Sequence, residues 1–381
     1  MQNFLKMFFL IFVLGGIFLF LQDRQYVKNN NNETIKIGHI AILTGPLASV
    51  GEAQLHAASL AVEDINSTGG VNGHELELVV EDYGYDTKQA LQVYERFDKQ
   101  GIDYFLADGS SGVAVLREQF VDDHNVNIAA GATTPVYFDG SPFTCRIALT
   151  ADDYARKIAN TLNERSYRTI GLLAAQNEYG EGMLESLNVH LPRVGMSVIS
   201  AERFNTSDTD FRTHIAKLTH IQDQLDALVV INPTNSVTAL FKQVHELGIT
   251  VPLVSDNWTV LHPSIHSREY FDNVVFVDYE YSVDDTLTNS DKTKAFVERY
   301  QDRFGSYPIM LAANTYDSMM LYAQAFNAVG YVDPAKVANY FVNDMQPYQG
   351  ISGTISFDHD CEVVRNAVVK EITDGVISSV E

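Results

Sequence analysis

The sequence predicts an α/β protein with two doubly wound parallel-sheet lobes. From Ile35 onward, short apolar runs alternate with amphipathic stretches of helical spacing, which is typical of parallel strands covered by helices. This order of segments starts again at Tyr167. The chain has 381 residues, 46% of them hydrophobic, which is enough to bury more than one core. We therefore expect two domains, each built on its own sheet.

Each half of the folded chain has the order strand, helix, strand, helix, strand. The first half contains, in turn, "IKIGHIAIL", "GEAQLHAASLAVEDINSTGG", "HELELVVED", "TKQALQVYERFDKQG" and "IDYFLADGSSG". The second half contains the strand, turn and helix "YRTIGLLAAQNEYGEGMLESLNVHLPRVG", followed by "MSVISAERF", "DTDFRTHIAKLTHI" and "LDALVVINPTNS". In both halves the third strand leads into a turn of small polar residues.

The turn "DGSSG", residues 108–112, connects the third strand to a helix. Because the first N–H groups of a helix lack partners, such a turn can be capped by serine or can hold an anion. The local sequence favours capping alone. A nucleophile elbow is excluded, since the residue two places after Ser111 is Val113 and not glycine. A Walker loop is excluded because Val113 and Ala114 stand where lysine and Ser/Thr are needed.

Five short polar turns follow apolar strands. They are "DGSSG", "AAGATTP" (129–135), "QNEYGEG" (176–182), "NPTNS" (232–236) and "SDNWT" (255–259). Ligands of open parallel sheets bind beyond the carboxyl ends of the strands, and two sheets whose ends face each other form a cleft. The sequence therefore predicts a ligand cleft lined by these turns.

The composition excludes some classes of partner. With 26 Lys and Arg against 49 Asp and Glu, the formal charge of −23 would repel nucleic acid and anionic lipid surfaces. The chain has two cysteines, Cys145 and Cys361, too few for a disulfide framework or a cysteine metal site. We expect them to be unpaired and buried, although a single bridge between them stays open.

Residues 1–34 are expected to direct export. Lys6 precedes an uncharged apolar run, 7–21, which would reach about 22 Å as a helix, short for a membrane span and typical of a signal-peptide core. No A-x-A-like cleavage site follows, so removal, which we favour, and retention as an N-terminal anchor both stay open. Residues 28–34, "KNNNNET", would form a polar spacer. We expect a periplasmic or other extracytoplasmic protein.

Several segments resemble the type I periplasmic solute-binding proteins of ABC transporters, specifically their branched-chain amino acid (Leu/Ile/Val) binding branch. They are the run 44–90, "GATTP", "NEYGEG", "NTYDSM" (314–319) and "GISGTISFDHD" (350–360). The resemblance covers residues 35–381 and implies a type I periplasmic binding protein fold without catalysis. We expect one lobe from 35–150 with 279–350 and the other from 151–278 with 351–381. The lobes would be joined near Thr150, Asp278 and Gly350.

The resemblance also implies which residues hold the ligand. Ser110 and Thr133 would hold its carboxylate beside the Gly131 main chain, and Tyr179 would cover it. Asn257, preceded by Asp256, stands where the family usually has an acidic residue for the ligand's ammonium group. Trp258 is left open between stacking on the ligand and packing in the core. The expected ligand-binding residues are Ser110, Ser111, Gly131, Ala132, Thr133, Tyr179, Asp256, Asn257 and Trp258.

Other positions also depart from the family pattern. Val50 and Pro233 stand where some members have aromatic residues, and Tyr85 and Gly109 stand where some have a disulfide. These departures weaken the case for an aliphatic amino acid. We expect a small carboxylate-bearing ligand, either an amino acid or an amine-free organic acid or amide.

Catalytic constellations are incomplete in this sequence. His262 and His266, with Glu269 and Asp272 nearby, have the spacing of metal ligands, but Pro263 and the loop-like composition favour a surface position. We expect no enzyme activity, cofactor or metal. Two roles stay open for a monomer: a receptor that delivers solute to an ABC permease, and a sensory subunit tethered beside a membrane receptor.

Overall fold

The computed structural model describes residues 34–134, 140–257, 270–279, 281 and 290–380. Its first sheet contains β1 (Ile35–Ala41), β2 (Leu76–Asp82), β3 (Tyr104–Ala107), β4 (Val126–Ala129) and β5 (Thr144–Arg146). These strands pair in parallel in the order β2-β1-β3-β4-β5. β1 to β4 lie in apolar segments that the sequence marks as strands, β5 was not predicted, and the predicted α/β class is confirmed.

The second sheet is built mainly from the middle of the chain. Its first strands are β6 (Thr169–Ala175), β7 (Ser197–Phe204), β8 (Ala227–Ile231), β9 (Leu253–Asp256) and β10 (Val275–Asp278). A separate short ladder, β11 (Tyr348–Gln349) with β12 (Thr354–Ile355), precedes the last two strands, β13 (Val368–Thr373) and β14 (Val376–Ser379). The strand order of the second sheet is β7-β6-β8-β9-β10-β13-β14.

Both sheets follow one plan. In each, the second strand lies at the edge beside the first, and the third, fourth and fifth strands follow in order. The second sheet adds β13, which pairs antiparallel with β10, and β14, which pairs antiparallel with β13. The repeated order of strands and helices in the sequence therefore corresponds to a repeated sheet topology.

Helices connect the strands of each sheet. They are α1 (Ala48–Ser67), α2 (Thr87–Asp98), α3 (Ser110–Asp122), α4 (Ala151–Glu164), α5 (Glu178–Arg193), α6 (Arg212–Ile221), α7 (Val237–Glu246), α8 (Asp291–Phe304), α9 (Met310–Val329) and α10 (Pro334–Asn339). Two starts are fixed by side chains. Asp86 caps α2 by accepting the N–H groups of Lys88 and Gln89, and Thr150 and Asp153 form a capping box at α4.

The late helix α9 returns to the first sheet. It packs along α1. The hydroxyl of Tyr322 on α9 lies within hydrogen-bond distance of the main-chain oxygens of Phe105 and Val126, at 2.8 and 2.9 Å. The chain then rejoins the second sheet at β13. The lobe boundaries near Thr150, Asp278 and Gly350 stay a prediction.

A disulfide joins Cys145 on β5 to Cys361. The expectation of two unpaired thiols is therefore wrong. The residues are 216 positions apart, but the segment after β12 runs beside the edge strand β5. There the Arg146 N–H donates to the Cys361 main-chain oxygen, and the Arg146 guanidinium pairs with Glu362. Tertiary packing brings the thiols together, which sequence spacing did not indicate.

The expected export segment lies outside the described residues, because the description begins at residue 34. Its removal or retention stays a prediction. Within the ranges described above, no helix combines the length and apolar composition that crossing a membrane requires.

Candidate ligand-binding site

The "DGSSG" turn joins β3 to α3 without a serine cap. Gly109 occupies the N-cap position with a φ of 73°, and its main chain makes the turn into the helix. Ser110 is therefore the first residue of α3, and its Oγ accepts the N–H of Thr133 at 3.1 Å. The expectation that serine serves here only as a helix cap is wrong, because glycine takes that position and releases the Ser110 hydroxyl toward the neighbouring turn.

Thr133, in the turn after β4, completes this cluster of hydroxyls. Its main-chain oxygen accepts the N–H of Ala151, the first residue of α4, at 3.0 Å. Its side chain is 3% exposed, and no described residue supplies a hydrogen-bond partner for Oγ1. Such a buried hydroxyl is costly unless something bonds to it. Ser110 and Thr133, which the family resemblance implies as ligand-binding residues, are thus brought together.

The residues before Thr133 hold the turn in place. A Cβ added to Gly131 would lie 3.0 Å from the side chain of Leu311 on α9, so a larger residue would require Leu311 to move. Ala132 is fully buried, and its main-chain oxygen accepts a hydrogen bond from Arg146 at 3.3 Å. The two residues therefore position the Thr133 main chain.

Ser111 takes part in a contact between the two sheets. Its Oγ lies 3.4 Å from the hydroxyl oxygen of Tyr85, which follows β2. The same oxygen accepts the side-chain amide of Asn177, which follows β6, at 3.1 Å. Burial raises the pKa of Tyr85, and the two hydrogen bonds act in the opposite direction. A second contact of this kind joins Ser49 Oγ to Asn235 Oδ1 at 2.9 Å.

Tyr179 lies in the first turn of α5. It is 2% exposed, and its hydroxyl donates to Asp256 Oδ2 at 2.7 Å. Gly180 permits this placement, since a Cβ there would stand 1.9 Å from the Ala175 main-chain oxygen. The ring belongs to a hydrophobic core cluster that includes Tyr154 of α4. Tyr179 and Asp256 therefore form a buried pair, with the ring in the core and the hydroxyl at the carboxyl end of β9.

Asn257 follows Asp256 and is 1% exposed. No group in the described part of the chain bonds to its Oδ1, and its amide favours the ionised carboxylate of Asp278. Asp278 in turn accepts from Lys370 Nζ at 2.8 Å, and Lys370 also donates to the Tyr281 main-chain oxygen at 2.9 Å. Trp258 lies outside the described residues, so its predicted role is not addressed by the structure.

Electrostatics at this end of the site centre on Asp278. Burial raises the pKa of its carboxyl group, while Lys370, the Tyr279 N–H and the Asn257 amide favour the ionised form. Both side chains of the Lys370–Asp278 pair are at least nine-tenths buried. A buried ion pair of this kind fixes the positions of its two side chains more than it adds net stability.

Helix α4 connects the two ends of the site. Ala151 at its start bonds to Thr133, and Tyr154 one turn later packs edge to face against Tyr279, with ring centroids 6.4 Å apart. Tyr279 directly follows Asp278, and its hydroxyl accepts the N–H of Leu149 at 2.9 Å. The Ser110–Thr133 cluster and the Asn257–Asp278 cluster are therefore attached to the same short helix.

Four residues at this site were not among the expected ligand-binding residues. They are Tyr85, Asn177, Asp278 and Lys370. In the sequence, Tyr85 was noted only because it stands where some family members have a disulfide. Lys370 did carry a signal, because a lysine inside the apolar strand "VVKEIT" needs a buried partner. The identity of that partner depends on strand pairing, which the sequence does not specify.

Metal chemistry finds no support in the ranges that the structure describes. These residues contain no group of three or more His, Cys, Asp or Glu side chains arranged to hold an ion. The pair His262 and His266 lies outside them.

Comparison with known proteins identifies the family. The sequence model described as "Periplasmic binding protein" matches residues 34–375. Leu/Ile/Val-binding protein homolog 1 of Brucella abortus (strain 2308) is 24% identical over 321 residues, which cover 83% of this chain and 84% of the relative. The predicted resemblance to the Leu/Ile/Val-binding branch is thereby confirmed.

Two solved structures share the fold. The branched-chain amino acid transporter substrate binding protein LivJ from Streptococcus pneumoniae, in complex with isoleucine, has a TM-score of 0.79 at 24% identity. That match covers 91% of this chain and 99% of LivJ. A solute binding protein of an ABC transporter from Rhodopseudomonas palustris BisB5, in complex with 3,4-dihydroxy benzoic acid, has a TM-score of 0.81 at 18% identity. It covers 92% of this chain and 96% of that protein. The chain belongs to the periplasmic binding protein family.

Proposed function

We propose that the protein captures a small carboxylate-bearing solute between its two sheets and delivers it to an ABC importer. Membership of the periplasmic binding protein family supports binding of a solute outside the cytoplasm, without catalysis. The observation that carries the choice of a carboxylate is Thr133 Oγ1, a buried hydroxyl that no described residue satisfies. It belongs to the same turn cluster as Ser110 Oγ at the start of α3.

The chemistry of this cluster suits an anion. The two hydroxyls can donate hydrogen bonds to carboxylate oxygens, and the N-terminus of α3 adds a partial positive charge. The whole protein carries a formal charge of −23, so its long-range field repels anions. Fixed local dipoles at the strand ends must therefore supply the attraction.

Similar proteins of known structure were solved with more than one kind of carboxylate. The protein from S. pneumoniae was solved with isoleucine, which carries an ammonium group. The protein from R. palustris was solved with 3,4-dihydroxy benzoic acid, which carries none. Both ligands bear a carboxyl group, which is the shared feature of our proposal. The transporter systems named for these two proteins support the proposal of delivery to an importer.

A thermal-shift screen with matched acids and uncharged derivatives tests this proposal. Each carboxylate is compared with its own methyl ester or primary amide, and a ligand at 100 times its dissociation constant should stabilise the protein by about 2.7 kcal/mol. We expect only the acids to raise the melting temperature. Ser110→Ala should weaken the best acid roughly tenfold, since a hydrogen bond to a charged group is lost.

Ser59→Ala is the matched control. The Ser59 hydroxyl donates to the Leu55 main-chain oxygen within α1, so its loss should leave affinity unchanged. Equal binding of esters and acids, or equal affinity of the Ser110 variant and the wild type, would contradict a carboxylate site.

A further inference from the structure

The turn after β4, residues 130–134, is held by hydrogen bonds to its main-chain oxygens. The Ala130 oxygen accepts the side-chain amide of Asn314 at 3.0 Å. Asn314 is fully buried in the "NTYDSM" segment of α9. The Thr133 oxygen accepts the N–H of Ala151 at 3.0 Å. Because the partners of these oxygens belong to the protein, the two C=O groups point toward it.

Arg146, the last residue of β5, holds two more oxygens of the same turn. Its Nη1 donates to the main-chain oxygens of Ala132 at 3.3 Å and of Thr134 at 2.9 Å, one on each side of Thr133. The other edge of the guanidinium bonds to the Glu362 carboxylate, with Nε 2.9 Å from Oε2. Arg146 is 1% exposed. Since the guanidinium is planar and its donors are fixed, the bond to Glu362 sets the direction of the bonds to the turn.

Peptide geometry then sets the direction of the N–H groups. In a trans peptide the C=O of one residue and the N–H of the next point in opposite directions, and the described residues include no cis peptide. The Ala132 oxygen faces Arg146, and the next N–H, that of Thr133, donates to Ser110 Oγ. Because the Ser110 oxygen accepts this bond, the hydroxyl keeps its proton for donation. The side of the turn that meets Ser110 therefore presents hydrogen-bond donors.

The charge of Arg146 is matched by that of Glu362. Opposite charges in direct contact largely cancel at a distance, so the pair adds little net charge to the site. What Arg146 contributes is the direction of two C=O groups. Without it, the Ala132 and Thr134 oxygens could turn toward the ligand, where they would repel a carboxylate and accept the NH₂ of an amide.

We propose that Arg146 is a positioning residue that selects carboxylates over the corresponding primary amides, because it holds the acceptors of the turn away from the ligand. This inference rests on the proposed function, which assigns the ligand's carboxylate to Ser110 and Thr133. A carboxylate needs only donors, whereas an amide brings an NH₂ that needs an acceptor. The wild type should therefore bind an acid roughly tenfold or more tightly than its amide, since a buried donor is left unsatisfied.

Titration calorimetry of matched pairs tests the proposal, with competition titrations for the weaker member. The pairs are L-leucine with L-leucinamide, 4-methylpentanoate with 4-methylpentanamide, and 3,4-dihydroxybenzoate with 3,4-dihydroxybenzamide. The measured quantity is the ratio of the two dissociation constants within a pair. Arg146→Met/Glu362→Leu removes both charges and leaves the net charge unchanged, so it keeps no unpaired buried ion. We expect its preference for the acid to fall roughly tenfold, as hydrogen bonds to a charged group are lost.

Glu362→Gln separates selectivity from stability. It leaves the guanidinium without an anionic partner, so the melting temperature should fall. The Gln oxygen still accepts from Arg146, so the preference for the acid should stay within about twofold of the wild type. Arg165→Met/Glu371→Leu is the matched control. It removes another Arg–Glu pair, with Nη2 3.3 Å from Oε2, and should leave the preference unchanged.

An unchanged preference in Arg146→Met/Glu362→Leu would overturn the inference and leave carboxylate capture intact. Loss of both the acid and the amide in that variant, with circular dichroism showing a folded protein, would also overturn it, because Arg146 would then maintain the whole site. A wild type that binds no acid more tightly than its amide contradicts the proposed function itself.

Discussion

The hydroxyl oxygen of Tyr85 accepts the side-chain amide of Asn177 at 3.1 Å and so joins the end of β2 to the end of β6. Tyr85 has a φ of 63°, a left-handed backbone conformation that is uncommon for residues other than glycine. The Asn177 oxygen caps α5 by accepting the Gly180 N–H at 2.8 Å. The hydrogen bond therefore connects the helix that carries Tyr179 to the turn after β2, and it requires the two sheets to lie close together.

We predict that Tyr85→Phe favours the open arrangement of the two sheets. One buried hydrogen bond contributes about 0.5 to 1.5 kcal/mol, so ligand affinity should fall about 2- to 12-fold, mainly through faster dissociation. Titration calorimetry and stopped-flow dissociation measure both quantities. Tyr94→Phe is the control, because the Tyr94 hydroxyl donates to Asp123 within the first sheet's layer. Equal dissociation rates for the two variants would argue against a role of Tyr85 in closure.

The disulfide between Cys145 and Cys361 should stabilise the fold without affecting the ligand. It closes a loop of more than two hundred residues, and cross-links typically contribute 2 to 5 kcal/mol by restricting the unfolded chain. We expect reductant to lower the free energy of unfolding by about this amount in urea titrations. The Arg146–Glu362 pair remains beside the reduced thiols, so ligand affinity should stay within twofold.

The control for this experiment is Cys145→Ala/Cys361→Ala, whose stability should not respond to reductant. A reductant effect of equal size in that variant would assign the loss to another cause.

Much of this architecture was predictable because its elements are locally encoded. The apolar run of β1 and the spaced Val93 and Phe97 of α2 give the sheet and its covering helix, and polar turns after strands locate the site. The disulfide and the Ser110–Thr133 contact were harder to predict. The first depends on packing of segments 216 residues apart, and the second on Gly109 taking the cap position.

The contact between Lys370 and Asp278 was also hard to predict, because it depends on the register of the paired strands. Lys370 lies opposite Phe276 in the antiparallel pair of β13 and β10, and Asp278 lies two residues further along the same face. A shift of one residue would turn Lys370 to the other face of the sheet. A sequence without known register cannot specify such a diagonal contact.

Lys370→Met should therefore destabilise the protein in a pH-dependent way. It leaves the Asp278 carboxylate buried without its cation, and breaking a buried pair costs about 3 to 5 kcal/mol. Burial already raises the pKa of Asp278, and removal of the ammonium raises it further. A protein that contains an acid whose pKa is raised by folding loses stability as pH rises through that pKa. The deficit relative to the wild type should be largest near neutral pH and should shrink as pH falls toward 4.

Urea titrations of both proteins across this pH range measure the effect. The double variant Lys370→Met/Asp278→Leu serves as the control, since it removes both charges and should show no such pH dependence. A deficit in Lys370→Met that stays constant with pH would exclude Asp278 as its source.

Thr133→Val should change stability and binding in opposite directions. The Thr133 hydroxyl is buried, and the described residues offer it no partner, so it costs the ligand-free protein free energy that an isosteric methyl group does not. We expect the variant to be as stable as the wild type or more stable, by up to about 1 kcal/mol, in urea titrations. Its affinity for the best carboxylate should nevertheless fall roughly tenfold or more, because the hydrogen bond to a charged oxygen is lost.

Thr161→Val supplies the comparison, since the Thr161 hydroxyl donates to the Lys157 main-chain oxygen in α4 and has no role at the site. Opposite changes of stability and affinity are expected of a residue whose hydroxyl binds the ligand. A Thr133 variant that loses stability but keeps its affinity would show that the hydroxyl stabilises the fold.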